Sequence, residues 1–358
     1  MSNPLTDLWN SLVGWKDENG AHYLYERIPS ERTDVKNDLT ELAPFQSYFR
    51  LWLKEMYLAK SRRWFTDWYP AVTALVKLKF GDRDGVTLSS VAQPPEGKLS
   101  QGVFVNYRLT ELVPYNGGAV EIDAGLIALK GANHLAPAVR ILQSFSGLVA
   151  APLLPVLTVA EKVAAGMQEL VSSMNGEVHL SLHDTFTSKG GGGTAMAAGY
   201  VVVILATKDQ VEPDRLSVRE NRLQYAATPG ATPEALEGFD YMLFYIEGRT
   251  ERDDWRLSNI QGPLEQATAA LVADEKEKAD ALRKVALTAA LTSPDLAVQD
   301  RRRVALAIKA ELDAIAAEGL GATAGEARDL TAVVRARAKS RAVAAQLPEL
   351  TFEELFGK

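Results

Sequence analysis

The sequence contains no cysteine. Disulfide bonds, thiolate nucleophiles, iron–sulfur clusters and zinc sites with cysteine ligands are therefore excluded. Stability has to come from packing, and a chain of 358 residues, 47% of them hydrophobic, can bury a sizeable core. A chain of this length is expected to divide into two domains or to form a single large β domain with helical additions.

The chain also lacks an excess of positive charge. Its net charge is −7, so no global attraction to nucleic-acid phosphates or to anionic lipid is expected. The first residues have neither the positively charged region nor the apolar stretch of a secretory signal. We therefore predict a cytoplasmic location and no nucleic-acid partner.

Motifs that define a reaction are missing as well. Lys189 precedes a run of four glycines, whereas the lysine of a phosphate-binding loop follows the last glycine and opens a helix. His179 and His183 lie in an alternating segment, and four residues of strand would separate their rings by roughly 13 Å, too far for one metal ion. We expect no metal and no cofactor, and the sequence favours a protein without catalytic activity but does not decide whether it is an enzyme.

The strongest positive signal is the apolar, β-branched run at residues 200–207, which predicts a strand buried on both faces. Residues 177–184 alternate between apolar and polar side chains and predict a half-buried strand. The aromatic-rich run at 239–247 predicts a further strand. Together these segments predict a β-rich body.

Two further segments belong to this body, and the first of them carries the clearest hairpin signal in the chain. Residues 103–113 and 119–129 flank an Asn-Gly-Gly turn and predict a hairpin. Residues 45–60 fit both a helical stripe and the alternating face of a strand, so their secondary structure is left open.

A long apolar tract lies between the hairpin and the central strand. Residues 141–160 within it carry no charged side chain, and their length approaches that of a membrane span. Pro152, Pro155 and several polar residues interrupt the tract, which favours a buried helical hairpin over residues 133–174. A membrane-spanning segment is the disfavoured alternative.

Beyond Trp255 the sequence becomes rich in alanine, leucine and alternating charges, which is typical of helices. Helices are predicted to start at Gly262-Pro263, at Ser293-Pro294 and at Thr323. The predicted fold class is α+β: an antiparallel β-sandwich-like body with an inserted helical hairpin and a C-terminal helical bundle. The predicted divisions are a packed N-terminal segment (1–40), the β-rich body (41–256, with the helical insert at 133–174) and the helical bundle with an amphipathic tail (257–358).

Two clusters combine charged and aromatic side chains and are the candidate binding sites. Both have a plainer interpretation, in which the aromatic residues close a core and the charges pair with each other. The first cluster consists of Arg62, Arg63, Trp64, Trp68 and Tyr69, and the second of Arg249, Glu251, Arg252, Asp253, Asp254 and Trp255.

The functional expectation is a soluble intracellular adaptor or scaffold protein that binds another protein, with an oligomeric state that the sequence leaves unknown. Two alternatives come from other classes. One is a membrane-active effector that releases the tract at 141–160 after a trigger, and the other is a hydrolase that uses Glu251, Asp253 or Asp254.

Overall fold

The computed structural model describes residues 24–35, 41–59, 62–63, 66–79, 86–92, 103–130, 177–187 and 194–317. These residues form fifteen strands and three α-helices. Their strands pair mainly in antiparallel register, and one short pair of two residues is parallel. The predicted mixture of helices and antiparallel sheets is therefore confirmed. The predicted helical insert at 133–174 lies outside the described residues.

The first sheet has six strands. They are β1 (Leu24–Ile28), β2 (Ser47–Tyr57), β6 (Val103–Arg108), β7 (Val113–Tyr115), β11 (Gly199–Ile204) and β15 (Tyr241–Arg249), in the order β1-β11-β15-β2-β6 with β7 also paired to β2. All six residues of β11 are buried, and β1 and β15 flank it in antiparallel register. The strand predicted at 200–207 is confirmed over residues 200–204 as a two-sided strand of this sheet, as its β-branched composition indicated.

Strand β2 settles the ambiguity at residues 45–60. Phe49, Leu51 and Leu53 are at most 2% exposed and face the same core, which is the alternation of a strand. A β-bulge shifts the register between Leu53 and Glu55 where β2 pairs with β6. Because the neighbouring strands supply backbone hydrogen bonds along β2, the strand form is selected over the helical stripe that the same sequence also fits.

The second sheet also has six strands, which are β3 (Arg62–Arg63), β4 (Thr66–Lys79), β5 (Val86–Ala92), β8 (Ala119–Lys130), β9 (Glu177–Thr187) and β10 (Thr194–Ala195). Their order is β10-β9-β8-β4-β3, with β5 paired to β4. The strand predicted at 177–184 is confirmed as part of β9. A third, three-stranded sheet contains β12 (Leu216–Arg219), β13 (Arg222–Tyr225) and β14 (Glu234–Ala235).

The predicted hairpin between residues 103–113 and 119–129 is wrong. The glycines at its centre do form a turn with positive φ, 82° at Gly117 and 78° at Gly118. The strands on either side of the turn belong to different sheets, since β6 and β7 pair with β2 whereas β8 pairs with β4 and β9. A turn motif predicts a reversal of the chain, but the partner of each strand depends on longer-range contacts.

Both faces of the first sheet are buried over β11. Val201 and Val203 join a core to which the second sheet also contributes, including Leu126 and Leu180. The alternate residues of β11, such as Val202, face a separate core that includes the third sheet. Apolar cores therefore cover both faces of β11, which explains why this strand has no polar face.

The chain divides into two compact units by its internal contacts. The first contains residues 1–44 and 49–249, and the second contains residues 45–48 and 250–358. In the second unit, helices α1 (Ser258–Val272), α2 (Lys276–Thr292) and α3 (Val298–Ala317) share one apolar core. This core includes Trp255, which is 6% exposed.

The predicted helix starts in this unit are wrong at two positions, and the third, at Thr323, lies outside the described residues. Pro263 lies inside α1 rather than at its first turn, and Ser293 follows the last residue of α2 rather than capping the next helix. The single predicted helix after Pro263 is in fact two, because the chain turns at Asp274 with a φ of 56°. No glycine or proline marks that turn, so the sequence carried no strong signal for it.

Candidate functional site

A group of aromatic and charged side chains lies where β2 and β15 run side by side in the first sheet. On β2, Arg50 and Trp52 alternate with the core residues and so point to the other face, and Lys54 lies next to the bulge. On β15, Tyr245 and Glu247 occupy the face that is turned away from the main core. We call these five residues the aromatic–basic patch.

Lys54 lies between the two aromatic rings of the patch. Its ammonium nitrogen is 4.6 Å from the ring centroid of Trp52 and 5.3 Å from that of Tyr245. It also donates a hydrogen bond of 2.9 Å to the side-chain oxygen of Asn106. Burial lowers the pKa of Lys54, and the charges of Glu247 and Asp34 oppose that shift. The two rings and the amide thus hold a cation that has lost most of its contact with water.

Glu247 organises the other side of the patch. Its carboxylate accepts hydrogen bonds of 2.7 Å from the indole nitrogen of Trp52 and 2.5 Å from Arg249, and Arg50 lies 3.5 Å away. Burial alone would raise the pKa of Glu247, but the hydrogen bonds from Trp52 and Arg249 and the two guanidinium charges lower it. The carboxylate therefore remains ionised and fixes the orientation of the indole ring.

The arrangement is suited to binding. Trp52 and Tyr245 are only partly buried, and the guanidinium of Arg50 lies 5.8 Å from the Trp52 ring centroid. Arg108 of β6 is the cross-strand partner of Trp52 and adds a further cation. The guanidinium of Arg108 lies 2.7 Å from the carboxylate of Glu111. The five patch residues do not include a serine, threonine, cysteine or histidine, so they do not form a serine-, threonine- or cysteine-type nucleophile paired with a histidine base. They offer two fixed, partly exposed aromatic rings that are held by largely buried charges.

Four residues of the first predicted cluster lie in strands β3 and β4. Arg62 and Arg63 form the short strand β3, and Trp68 and Tyr69 lie in β4, where they pair with Lys130 and Leu129. The last member, Trp64, lies outside the described residues. The prediction that these side chains form a binding site stays a prediction.

The second predicted cluster is divided among several structural contacts. Arg249 bonds to Glu247, as described above, whereas Arg252 is 5% exposed and bonds to Asp254 at 2.8 Å. Glu251 lies 3.7 Å from Arg303. The remaining members are Asp253, which is exposed, and Trp255, which is buried in the helical core.

A buried polar cluster that sequence reasoning missed lies within the second unit and is centred on Asp300. The hydroxyl of Tyr48 donates to Asp300 at 2.7 Å and accepts from the backbone of Ala297 at 2.9 Å. The backbone of Arg252 and the guanidinium of Arg303 also donate to this carboxylate. Burial and the adjacent Asp300 raise the pKa of Tyr48. Because the cluster is satisfied by its own members, its role is to join residues 45–48 to the helices.

Two further buried pairs lie in the first unit. Glu55, 5% exposed, accepts from the backbone of Leu223 at 2.8 Å, and burial raises the pKa of Glu55 more than this bond, the Tyr241 hydroxyl and Arg222 lower it. His179 and Asp240 are 2.9 Å apart, so His179 packs against a carboxylate. The sequence held no signal for either pair, because their members are far apart in the chain.

Within the described part of the chain, no group of three or more histidine, aspartate and glutamate side chains is arranged to hold a metal ion. In the same ranges, no helix has both the length and the apolar character required to cross a membrane, and the tract at 141–160 lies outside them. No protein-family model, curated protein or solved structure matches this chain.

Proposed function

We propose that this chain is a soluble, intracellular protein-binding adaptor without catalytic activity, and that its partner protein docks on the aromatic–basic patch. The observation that carries the proposal is Trp52, a half-buried indole held by Glu247 and flanked by Arg50 and Lys54. Tryptophan, tyrosine and arginine are the residue types that dominate binding energy at protein interfaces.

The fixed orientation of these side chains supports the proposal. An aromatic anchor that is already immobilised loses little conformational entropy when a partner binds. The indole of Trp52 is held by a hydrogen bond of 2.7 Å, and the ring of Tyr245 contacts that of Tyr200 with centroids 4.8 Å apart. The patch therefore fits a recognition surface better than a flexible loop would.

The finer architecture belongs to the same proposal. Two six-stranded sheets contribute side chains to one core, which supports an antiparallel β-sandwich-like body. The shared core of α1, α2 and α3 supports a helical bundle. Such a body is a rigid base on which a binding surface keeps its shape.

The test compares affinity co-purification from the source cells with wild-type protein and with two alanine variants. Trp52→Ala removes the anchor of the patch, and Tyr107→Ala removes an aromatic residue of the same sheet that is 41% exposed. We expect a partner that is retained by wild type and Tyr107→Ala, and whose affinity for Trp52→Ala is about thirtyfold lower, as for an interface hot spot worth about 2 kcal/mol.

The folding of Trp52→Ala is checked by urea unfolding, so that a loss of binding is not a loss of structure. A partner retained equally by all three proteins, or no saturable partner at all, would contradict the patch as a docking surface. Turnover by the purified protein on a panel of hydrolase substrates would contradict the absence of catalysis.

A further inference from the structure

Arg27 occupies an unusual place in β1. It pairs with Val201 of the central strand, and its guanidinium lies 5.3 Å from the ring centroid of Phe186 in β9. Two residues earlier in β1, the hydroxyl of Tyr25 donates to Asp184 of β9 at 2.5 Å. The side chains of Tyr25 and Arg27 thus both point from the first sheet toward the second, so the guanidinium of Arg27 lies between the two sheets.

Only one edge of this guanidinium has a protein partner. Nη1 donates to the carbonyl of Ala197 at 3.3 Å, whereas Nε and Nη2 are buried and meet no acceptor on any residue that the structure describes. The N–H bonds of Nε and Nη2 are parallel and form the fork that matches the two oxygens of a carboxylate. A buried charged donor without an acceptor destabilises the folded state, so we expect this edge of the guanidinium to bind a ligand.

The charge of Arg27 also lacks an ion-pair partner in the described residues, since none of the ion pairs found there includes it. The neighbouring carboxylate, Asp184, accepts the hydroxyl of Tyr25. The ring of Phe186, 2% exposed, attracts the cation through its face but supplies no acceptor. Water would supply acceptors without neutralising the charge, whereas an anion does both.

We infer that the Nε–Nη2 edge of Arg27 binds the carboxylate group of a small monocarboxylic acid between the two sheets. One negative charge balances one guanidinium, and a second charge would face Asp184 nearby along β9. The apolar ring of Phe186 suits a small organic acid better than a fully hydrated ion. This site does not depend on the aromatic–basic patch, and the failure of either proposal leaves the other unaffected.

The test uses the full-length protein and formate as the probe. Protein is first denatured and the released small acids are measured, since an acid that co-purifies would block the site. Protein dialysed into chloride buffer is then titrated with isotope-labelled formate at constant ionic strength, with inorganic phosphate as the comparison anion. We expect either about one equivalent of released carboxylic acid or saturable binding of about one formate per chain.

Three variants locate the binding. Arg27→Met should abolish it, and Arg27→Lys should weaken it by about tenfold or more, because lysine keeps the charge but lacks the planar fork. Arg219→Met removes an exposed arginine of the same unit and so matches the change in net charge. It should bind formate as wild type does.

Several results would overturn the inference. One is that wild type neither releases an acid nor binds formate, and another is that phosphate binds and formate does not. Equal formate affinity in wild type and Arg27→Met would show that Arg27 is not the site. If Arg27→Met does not fold, equal affinity in wild type and Arg27→Lys refutes the proposed fork.

Discussion

Removing one oxygen atom at Tyr48 tests whether the buried cluster around Asp300 joins residues 45–48 to the helices. The Tyr48 hydroxyl has two partners, since it donates to Asp300 at 2.7 Å and accepts from the backbone of Ala297 at 2.9 Å. Tyr48 and Ala297 are both fully buried. The Tyr48→Phe substitution therefore breaks two hydrogen bonds in a place where water does not replace them.

The structure sets the size of the expected effect. A hydrogen bond to a charged group contributes about 1.5–3 kcal/mol, and a buried backbone N–H left without an acceptor costs about 1–3 kcal/mol. These terms overlap because one hydroxyl serves both, so we expect Tyr48→Phe to lower the free energy of unfolding by about 2–4 kcal/mol. With a typical urea dependence, the midpoint moves down by roughly 1–2 M urea.

The assay is urea unfolding followed by far-ultraviolet circular dichroism, which reports mainly on the helices α1 to α3. Tyr107→Phe is the matched control, since Tyr107 is 41% exposed and its hydroxyl has no hydrogen bond with a described residue. The control should change stability by less than about 0.5 kcal/mol. An equally small change for Tyr48→Phe would refute the argument that this hydroxyl is an essential buried link.

Two further predictions concern the first unit. Burial raises the pKa of Glu55, so the folded state holds its proton more tightly than the unfolded state does, and wild type should lose stability relative to Glu55→Gln as the pH rises above about 4.3. Chemical denaturation between about pH 4 and pH 7 measures this difference, and a difference independent of pH would contradict it. At Gly248 an added methyl carbon would lie 2.5 Å from Cδ2 of Leu42 and 3.2 Å from Ala198, so the Leu42 side chain must leave its rotamer and Gly248→Ala should destabilise the protein by about 0.5–1.5 kcal/mol. In a Leu42→Ala background the same substitution should cost much less, and an unchanged cost in this double-mutant cycle would show that Leu42 is not the obstacle.

The candidate site shows where reasoning from sequence ended. Trp52 lies in a segment whose secondary structure the sequence left open, and its partner Glu247 is 195 residues away. Tyr48 and Asp300 are separated by 252 residues. No local pattern links such positions, so the sequence predicted binding sites only at clusters that are contiguous in the chain. The structure distributes the contiguous run at 249–255 among several separate contacts.

By itself the sequence determined that its strongest apolar and aromatic runs become strands and where helices take over. The β-branched run in β11 and the aromatic run in β15 are strands because their side chains fit a pleated, buried surface, and the alanine-rich segment after Trp255 is helical. Only the tertiary structure decided which strands pair. A period of two assigns each residue to a face of a sheet, but β6 and β8 could satisfy that pattern against many edges. Their partners were selected by the total burial and hydrogen bonding of the whole fold, and the aromatic–basic patch exists because β2 and β15 are neighbours.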